Sequence, residues 1–321
     1  MKDPLSLLLE RSGVAGSVFC RAELQEPWAV STKGSGDPAG RPAIFHVIVR
    51  GAGFVRVEPD RDGAPSADEA SWRSGDVIMM PHGDPHVMCS HRDEHPVPIA
   101  SLAATPGEDG LPCISSGGDG AQTSILCGTV RFSEEAEELL RPHLPPLLHL
   151  QCAQGPAAAW LDATLRLLGA ETSTALPGSE TVIARLAEVL FVQALRAWLR
   201  DLPKGTIGWL AALGDPNLSR VLTAIHEAPE EPWTVALLAR QAGLSRSVFY
   251  TRFREVMGEP PATYLTRWRM HVARRALRRG ESVAEVAEAT GYGSEAAFSR
   301  AFKRTVGDTP GAWRDARQAS A

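Results

Sequence analysis

The apolar positions change their period twice along the chain. Up to about residue 150 they form short runs such as Ile44-Phe-His-Val-Ile-Val49 and Phe54-Val-Arg-Val57. Pro, Gly and Asp cluster between the runs at 34–42, 59–68, 81–85 and 105–120, a spacing that predicts strands joined by turns. Gly51-Ala-Gly53 between the two quoted runs predicts a hairpin. From 156 to 214 the period becomes helical, with helices expected over Ala157–Leu168 and Thr181–Leu199 and a break at Leu176-Pro-Gly178. In the second of these, Ile183, Leu186, Val189, Leu190, Phe191, Leu195, Trp198 and Leu199 cover more than half the circumference. One buried face needs only a stripe, so this belt predicts burial on two sides. One side would pack on the strands or the first helix and the other on a second copy of the chain, unless both are buried within one chain.

Beyond residue 215 one helical pattern is written twice. Val235-Ala-Leu-Leu-Ala-Arg-Gln-Ala-Gly243 matches Val283-Ala-Glu-Val-Ala-Glu-Ala-Thr-Gly291 at an offset of 48 residues. After one inserted residue, Ser245 aligns with Ser294, Phe249 with Phe298, Phe253 with Phe302 and Pro261 with Pro310. Each copy reads as a short helix, a Gly turn and a second helix opened by Ser, the pattern of a helix-turn-helix. Ser282-Val-Ala-Glu285 has capping-box spacing, and Gly291 stands where a left-handed residue ends a helix. In the first reading helix Val248, Phe249 and Phe253 are expected inward, with Arg246, Ser247, Tyr250, Thr251 and Arg254 outward. In the second, Ala297, Phe298, Ala301 and Phe302 form the apolar stripe opposite Glu295, Ser299, Arg300, Lys303 and Arg304. Between the copies, 264–280 predicts one longer helix with Leu265, Trp268, Val272, Ala276 and Leu277 buried. Arg267, Arg274, Arg275, Arg278 and Arg279 are expected on its wet faces. Such a helix would hold two reading heads at a fixed distance, and if that distance approaches one DNA turn, roughly 34 Å, both can enter successive major grooves on one face.

These residues resemble the AraC/XylS family of bacterial transcription regulators. Trp233-Thr-Val-Ala-Leu-Leu-Ala-Arg, Tyr264-Leu-Thr-Arg-Trp-Arg-Met and Gly291-Tyr-Gly-Ser-Glu-Ala-Ala-Phe-Ser-Arg-Ala-Phe-Lys carry the likeness over the last hundred residues or so. The resemblance implies base contacts from Ser247, Tyr250 and Thr251 and from Glu295, Ala296, Ser299 and Arg300. Ser245, Arg246, Arg254, Ser294 and Lys303 complete the expected DNA-binding set. Arg300 suits the O6 and N7 acceptors of guanine. Ser247 and Thr251 are shorter than the long polar or aromatic residues that family members show there.

In the first half, Gly75, Pro81, Gly83 and His86 have the spacing G-x5-P-x-G-x2-H, which resembles the second cupin motif. Phe19-Cys-Arg-Ala-Glu, Pro27-Trp28, Phe45-His46, Cys127-Gly128 and Leu144-Pro-Pro-Leu-Leu-His149 resemble the cupin sensor domain fused to one subgroup of these regulators. A cupin is a small antiparallel barrel with a cavity at one end. The expected effector site gathers Cys20, His46, His82, His86 and Cys89. A transition metal such as Zn would take His46, His86 and Cys127, since imidazole and thiolate suit it. The first cupin motif is poor, with no His-x-His ahead of His46. On the alternative reading, His86 bonds within its turn and the cysteines are small apolar core residues.

The expected fold is thus α+β and multidomain: a cupin-like barrel over 1–152, a helical linker and dimerisation layer over 153–214, and an all-α double helix-turn-helix over 215–321. Charge sharpens this division. The chain carries a formal net charge of -5, but residues 216–321 hold 16 Lys+Arg against 11 Asp+Glu, leaving -10 for the rest. A basic tail on an acidic body fits a DNA-binding module joined to one that does not bind DNA. The five cysteines include no C-x-x-C pair and predict free thiols in a reducing compartment. Leu5 to Leu9 is too brief for a signal peptide and no run reaches the length of a membrane span, so the expected location is the cytoplasm. Expected partners are duplex operator DNA, a second copy as a homodimer, a small-molecule effector and, for an activator, RNA polymerase. A metal-dependent cupin enzyme such as a dioxygenase, carrying a DNA module, is the alternative, and an architectural DNA binder with a vestigial barrel is a third.

Overall fold

The computed structural model describes residue 5 and residues 14–33, 41–58, 68–107, 111–132, 137, 140–151, 156–174, 176–200, 202 and 206–318. The turn clusters at 34–42, 59–68 and 105–120 lie partly outside these residues, and the Leu5–Leu9 patch does so in all but Leu5. The chain divides into two compact units, one spanning Ser12–Asp201 and one built on Leu202–Ala321.

The first unit contains two sheets among its described residues. The larger runs in the order β12 (Leu148–Leu150), β6 (Val77–Met80), β3 (Ala43–Arg50), β11 (Gln122–Phe132), β1 (Val14–Gln25), β10 (Pro112–Gly117) and β9 (Ala104–Pro106). The smaller runs in the order β5 (Asp68–Arg73), β4 (Ala52–Val57), β7 (His86–Cys89), β2 (Ala29–Thr32) and β8 (Val97–Pro98). Leu24, Ile48, Ile78, Met80 and Ile125 of the larger sheet share one core with Val55, Trp72 and Met88 of the smaller and with Trp28, just ahead of β2. No strand pairing among the described residues joins the sheets, so the barrel is not closed.

The expected hairpin at 44–57 does not form. β3 pairs with β11 and β6, whereas β4 pairs with β5 and β7 in the other sheet. Gly51, at φ 97°, is where the chain changes sheets; a Cβ there would lie 2.5 Å from Thr123 Oγ1. A Gly-x-Gly between two apolar runs therefore marks a crossing, which local spacing does not distinguish from a turn.

Two helices follow, α1 (Pro156–Thr174) and α2 (Ser179–Arg200). α2 lies on the larger sheet, so close that a Cβ on Gly16 of β1 would be 2.4 Å from the Cβ of Ala187. Phe191 meets Phe132 of β11 edge-on, ring centres 5.2 Å apart. The larger sheet is thus covered on both faces, which explains why β3 has buried residues of both parities, Phe45 and Val47 as well as His46 and Ile48. Much of the wide belt of α2 is accounted for here: Ile183, Ala187, Leu190, Phe191, Ala194 and Leu195 are buried within one chain. Val182 and Val189 remain exposed, at 42% and 40%.

The second unit is helical, with α3 (Trp209–Leu213), α4 (Pro216–Glu227), α5 (Val235–Ala242), α6 (Arg246–Met257), α7 (Pro261–Arg278), α8 (Val283–Ala289), α9 (Glu295–Val306) and α10 (Pro310–Gln318). The Asp215 carboxylate caps α4 by accepting from the N–H groups of Asn217 and Leu218, and it pairs with Arg252 at 2.6 Å. These bonds hold its carboxyl below the usual carboxylate range, although burial alone would raise it. α7 serves both halves of the unit. Tyr264 meets Phe253 and bonds His226 at 2.7 Å, and Trp268 stacks on His226 with ring centres 3.7 Å apart. Further along, Met270, Ala273, Ala276 and Leu277 join Phe298, Phe302 and Trp313 in a second core. A connecting helix buried in two cores cannot bend without disturbing both.

Candidate functional site

Each recognition helix is set by the same local devices. Thr234 and Ser245 cap α5 and α6, and Gly243 turns between them at φ 68°. Ser282 and Glu285 form a complete capping box at α8, Gly291 turns at φ 73°, and Ser294 caps α9 through the N–H of Ala297. Ser245 and Ser294 thus spend their hydroxyls on helix starts. Phe249, Phe253 and Met257 anchor α6, and Phe298, Ala301 and Phe302 anchor α9.

The faces left over are the candidate nucleic-acid surface. On α6 they show Arg246, Ser247, Tyr250, Thr251 and Arg254, all exposed, and an open groove is lined by Val235, Arg246, Ser247, Tyr250 and Thr251. On α9, Glu295, Ala296, Arg300 and Lys303 are exposed and Ser299 is half-buried. Val248 departs from expectation: it is 52% exposed rather than inward. It lies one position before Phe249, and the helix turn carries it away from the anchored face. Sequence reading missed this exposed methyl surface because apolar residues default to the core; counting 100° steps from Phe249 and Phe253 would have found it. Part of the expected positive stripe on α7 is engaged within the unit. Arg267 pairs with Glu259, Arg279 with Glu281, and Arg278 lies over the Trp313 ring.

In the first unit, Cys20 on β1, Cys127 on β11, His46 on β3 and His86 on β7 come together, although they are far apart in sequence. Cys20 and Cys127 are register partners on adjacent antiparallel strands. Cys127 Sγ lies 3.2 Å from His46 Nδ1, His46 Nε2 lies 2.9 Å from His86 Nε2, and His86 Nδ1 lies 3.0 Å from the Asp84 carbonyl oxygen. Burial lowers the pKa of both imidazoles, His46 well below its ordinary value and His86 to about 4, so both are neutral at pH 7. Neutrality then orders the protons. The Asp84 carbonyl can only accept, so His86 carries its proton on Nδ1 and presents a bare Nε2. His46 must donate from Nε2, and its Nδ1 accepts the S–H of Cys127. The Cys127 thiol is held well above its ordinary value, by the neighbouring Cys20 thiol and by burial, and so keeps its proton.

His82 and Cys89 stand apart from this chain. His82 bonds the Leu144 carbonyl at 3.0 Å. Cys89 lies three residues beyond His86 on the same strand, so it faces the opposite side, and burial raises its thiol. Nor do the expected metal ligands converge, since Cys127 meets the ring nitrogen of His46 that faces away from His86. Among the described residues no group of three His, Cys, Asp or Glu is arranged to hold a metal ion. His46, His86 and Cys127 instead line a small, mainly apolar cavity together with Leu24, Trp28, Val30, Met88, Ile114 and Ile125.

Paired helix-turn-helix motifs, in one chain with a two-sheet unit that contains such a cavity, define a DNA-binding regulator with a sensor-type domain. A cupin family profile matches residues 3–200, and a helix-turn-helix domain profile matches residues 238–316. The chain is 34% identical to a putative AraC-like transcription regulator of Streptomyces antibioticus, over 98% of this chain and 97% of that protein. It is 29% identical to the HTH-type transcriptional regulator AlkR of Acinetobacter baylyi, over 97% of this chain and 99% of that one. A solved structure of the DNA-binding domain of AdpA in complex with a target DNA is 36% identical, covering 33% of this chain and 96% of that one, with a TM-score of 0.31. The chain belongs to the AraC-like transcription regulators that carry a cupin domain. It is a DNA-binding transcription regulator and not a cupin enzyme. Among its described residues no helix is long and apolar enough to cross a membrane.

Proposed function

We propose that the protein binds duplex operator DNA through α6 and α9, and that a small molecule held in the cavity of the first unit sets its DNA-binding state. The observation that carries this reading is the matched pair of capped helices with exposed polar faces on one doubly buried connecting helix. On this reading residues 215–321 read DNA, 1–152 sense, 153–214 link and dimerise, and the protein works in the cytoplasm, engaging RNA polymerase if it activates. Arg300 is the principal base reader, with Ser247, Tyr250, Thr251, Glu295, Ala296 and Ser299 at other base edges. Arg246, Arg254 and Lys303 lie toward phosphates, while Ser245 and Ser294 set the helix starts. The test is selection of bound sequences from random duplexes, followed by titration of the selected site. Arg300→Ala is expected to cost about 1–3 kcal/mol and to relax preference at one base position. Unchanged affinity together with unchanged preference would remove Arg300 from the reading set.

The exposed Val182 and Val189 on α2 support a two-fold dimer, which would double the length of DNA read. Leu190 and Leu195 are unsuitable probes, because both are fully buried within the chain and charge there would unfold it. Val182→Glu with Val189→Glu is expected to give folded monomers with weak operator binding. A wild-type monomer by light scattering would end the dimer proposal.

A second input is favoured by one observation, the register pairing of Cys20 with Cys127. A peroxide would take two electrons and two protons from the thiols, leaving a disulfide between the strands and reducing its own O–O bond to two O–H groups. Cys20→Ser with Cys127→Ser is expected to abolish any response to peroxide while sparing operator binding. A peroxide response that persists in this variant would exclude the pair.

A further inference from the structure

The first reading helix, α6, carries an apolar residue that neither packing nor helix formation explains. Phe249, Phe253 and Met257 anchor the helix on one face. At about 100° per residue, Val248 lies roughly 140° round from their common direction, and more than half of its surface is in water. Valine is no better a helix former than serine, so the residue does not stabilise the helix either. It stands in the first turn of α6, where a recognition helix brings its side chains to base edges. Arg252, one turn further on, is drawn to the Asp215 carboxylate at 2.6 Å, which commits its guanidinium there.

The residues beside Val248 narrow what it can meet. Ser247 and Thr251 are exposed and short, so the α6 backbone can lie close to the base edges, within reach of a valine. Thr251 is three residues on, about 60° round the helix, and brings a further methyl group to the same face. Among the DNA bases, thymine presents a methyl group in the major groove, whereas adenine, guanine and cytosine show polar donors and acceptors there. A valine against those polar edges would remove their water and return no hydrogen bond. Against the thymine methyl it takes apolar surface of both partners out of water. The β-branch also fixes the side chain of a helical valine, so little rotamer freedom remains to be lost on contact.

We propose that Val248 is a specificity-determining residue of the first motif, and that it selects thymine through contact of its methyl groups with the C5 methyl of the base. The proposal rests on the reading that α6 enters the major groove, and it names the base selected there. The two motifs then read by different means, α6 by methyl contact and α9 by the Arg300 guanidinium.

The test uses the full chain and the duplex selected from random sequences. Each thymine of that duplex is replaced singly by deoxyuridine, which pairs as thymine does and lacks only the methyl group. Titrations at one salt concentration compare the wild type with Val248→Ser, which removes both methyls at a similar helix propensity. In the wild type, one replacement is expected to weaken binding about three- to fourfold, the effect of one buried methyl group. Val248→Ser should bind the thymine and deoxyuridine duplexes of that position equally, at about the weaker affinity. A repeated selection with the variant should lose the preference for thymine there. The proposal is overturned if no thymine methyl matters to the wild type, or if the loss on removing it is undiminished in Val248→Ser. A variant that binds more weakly while the methyl effect stays intact would place Val248 against the sugar–phosphate backbone, which overturns it equally. In each of these outcomes the protein still selects a sequence, and the DNA-binding reading stands. A full chain that selects no sequence at all sinks that reading and this inference with it.

Discussion

Gly291→Ala is expected to abolish sequence-specific DNA binding and to lower the stability of the second unit by about 3 kcal/mol. Two costs add at this position. The backbone is left-handed, at φ 73°, where an L side chain is strained. A Cβ would also lie 2.3 Å from the carbonyl oxygen of Glu230 and 2.7 Å from Nη2 of Arg269. Arg269 has little freedom to give way, since its guanidinium donates to the carbonyls of Pro229 and Glu231. The turn between α8 and α9 must therefore open, and α9 with Arg300 moves with it. The matching residue of the first motif provides the control. Gly243 has a similar φ of 68°, but among the described residues a Cβ there would meet only Nη2 of Arg220, at an ordinary contact distance of 3.6 Å. Gly243→Ala should show only the backbone cost, about 1–2 kcal/mol, and retain DNA binding. Thermal melts and operator titrations of both variants check this, and equal losses in the two would contradict it.

The first unit is expected to lose stability on mild acidification. An unfolded histidine takes its proton near pH 6.5, whereas folded His86 takes it only at about 4. Between those values the unfolded state binds more protons, so stability falls as pH drops through this window and is fully present above it. The shift corresponds to roughly 3 kcal/mol once both states are protonated, and His46, also lowered, acts in the same direction. His86→Gln can still donate to the Asp84 carbonyl and accept from His46 but cannot become charged. Urea unfolding of wild type and variant at pH 7 and pH 4.5 should show a smaller pH effect in the variant. An identical pH effect would mean that His86 is not held neutral.

The second unit was the more legible part of the chain. Its helices rest on local signals, Ser caps, left-handed Gly turns and 3.6-residue periods, which act within a few residues and are therefore visible in order along the sequence. The helix over 264–280 was expected and is observed as Pro261–Arg278. Val248 escaped because its apolarity suggested the core, whereas its place about 100° from Phe249 on the helix turns it outward. In the first unit the strand runs were visible, but their partners were not. The apparent hairpin at 44–57 is a change of sheet, and the belt on α2 is largely covered by strands that lie before residue 151.

The sequence alone determined the class of this protein, because a duplicated motif of capped helices is specified by short-range chemistry that few other folds share. It also singled out histidines and thiols of the first unit, without their arrangement. Only tertiary structure decided that Cys20, Cys127, His46 and His86 form one chain from three strands of one sheet and one of the other, and that His82 and Cys89 lie outside it. It also separated Gly291 from Gly243, which stand at matching positions in the repeat. The physical reason is common to all of these. Caps and turns are settled between neighbours along the chain, whereas strand register, burial and the clearance around a glycine depend on residues tens of positions away.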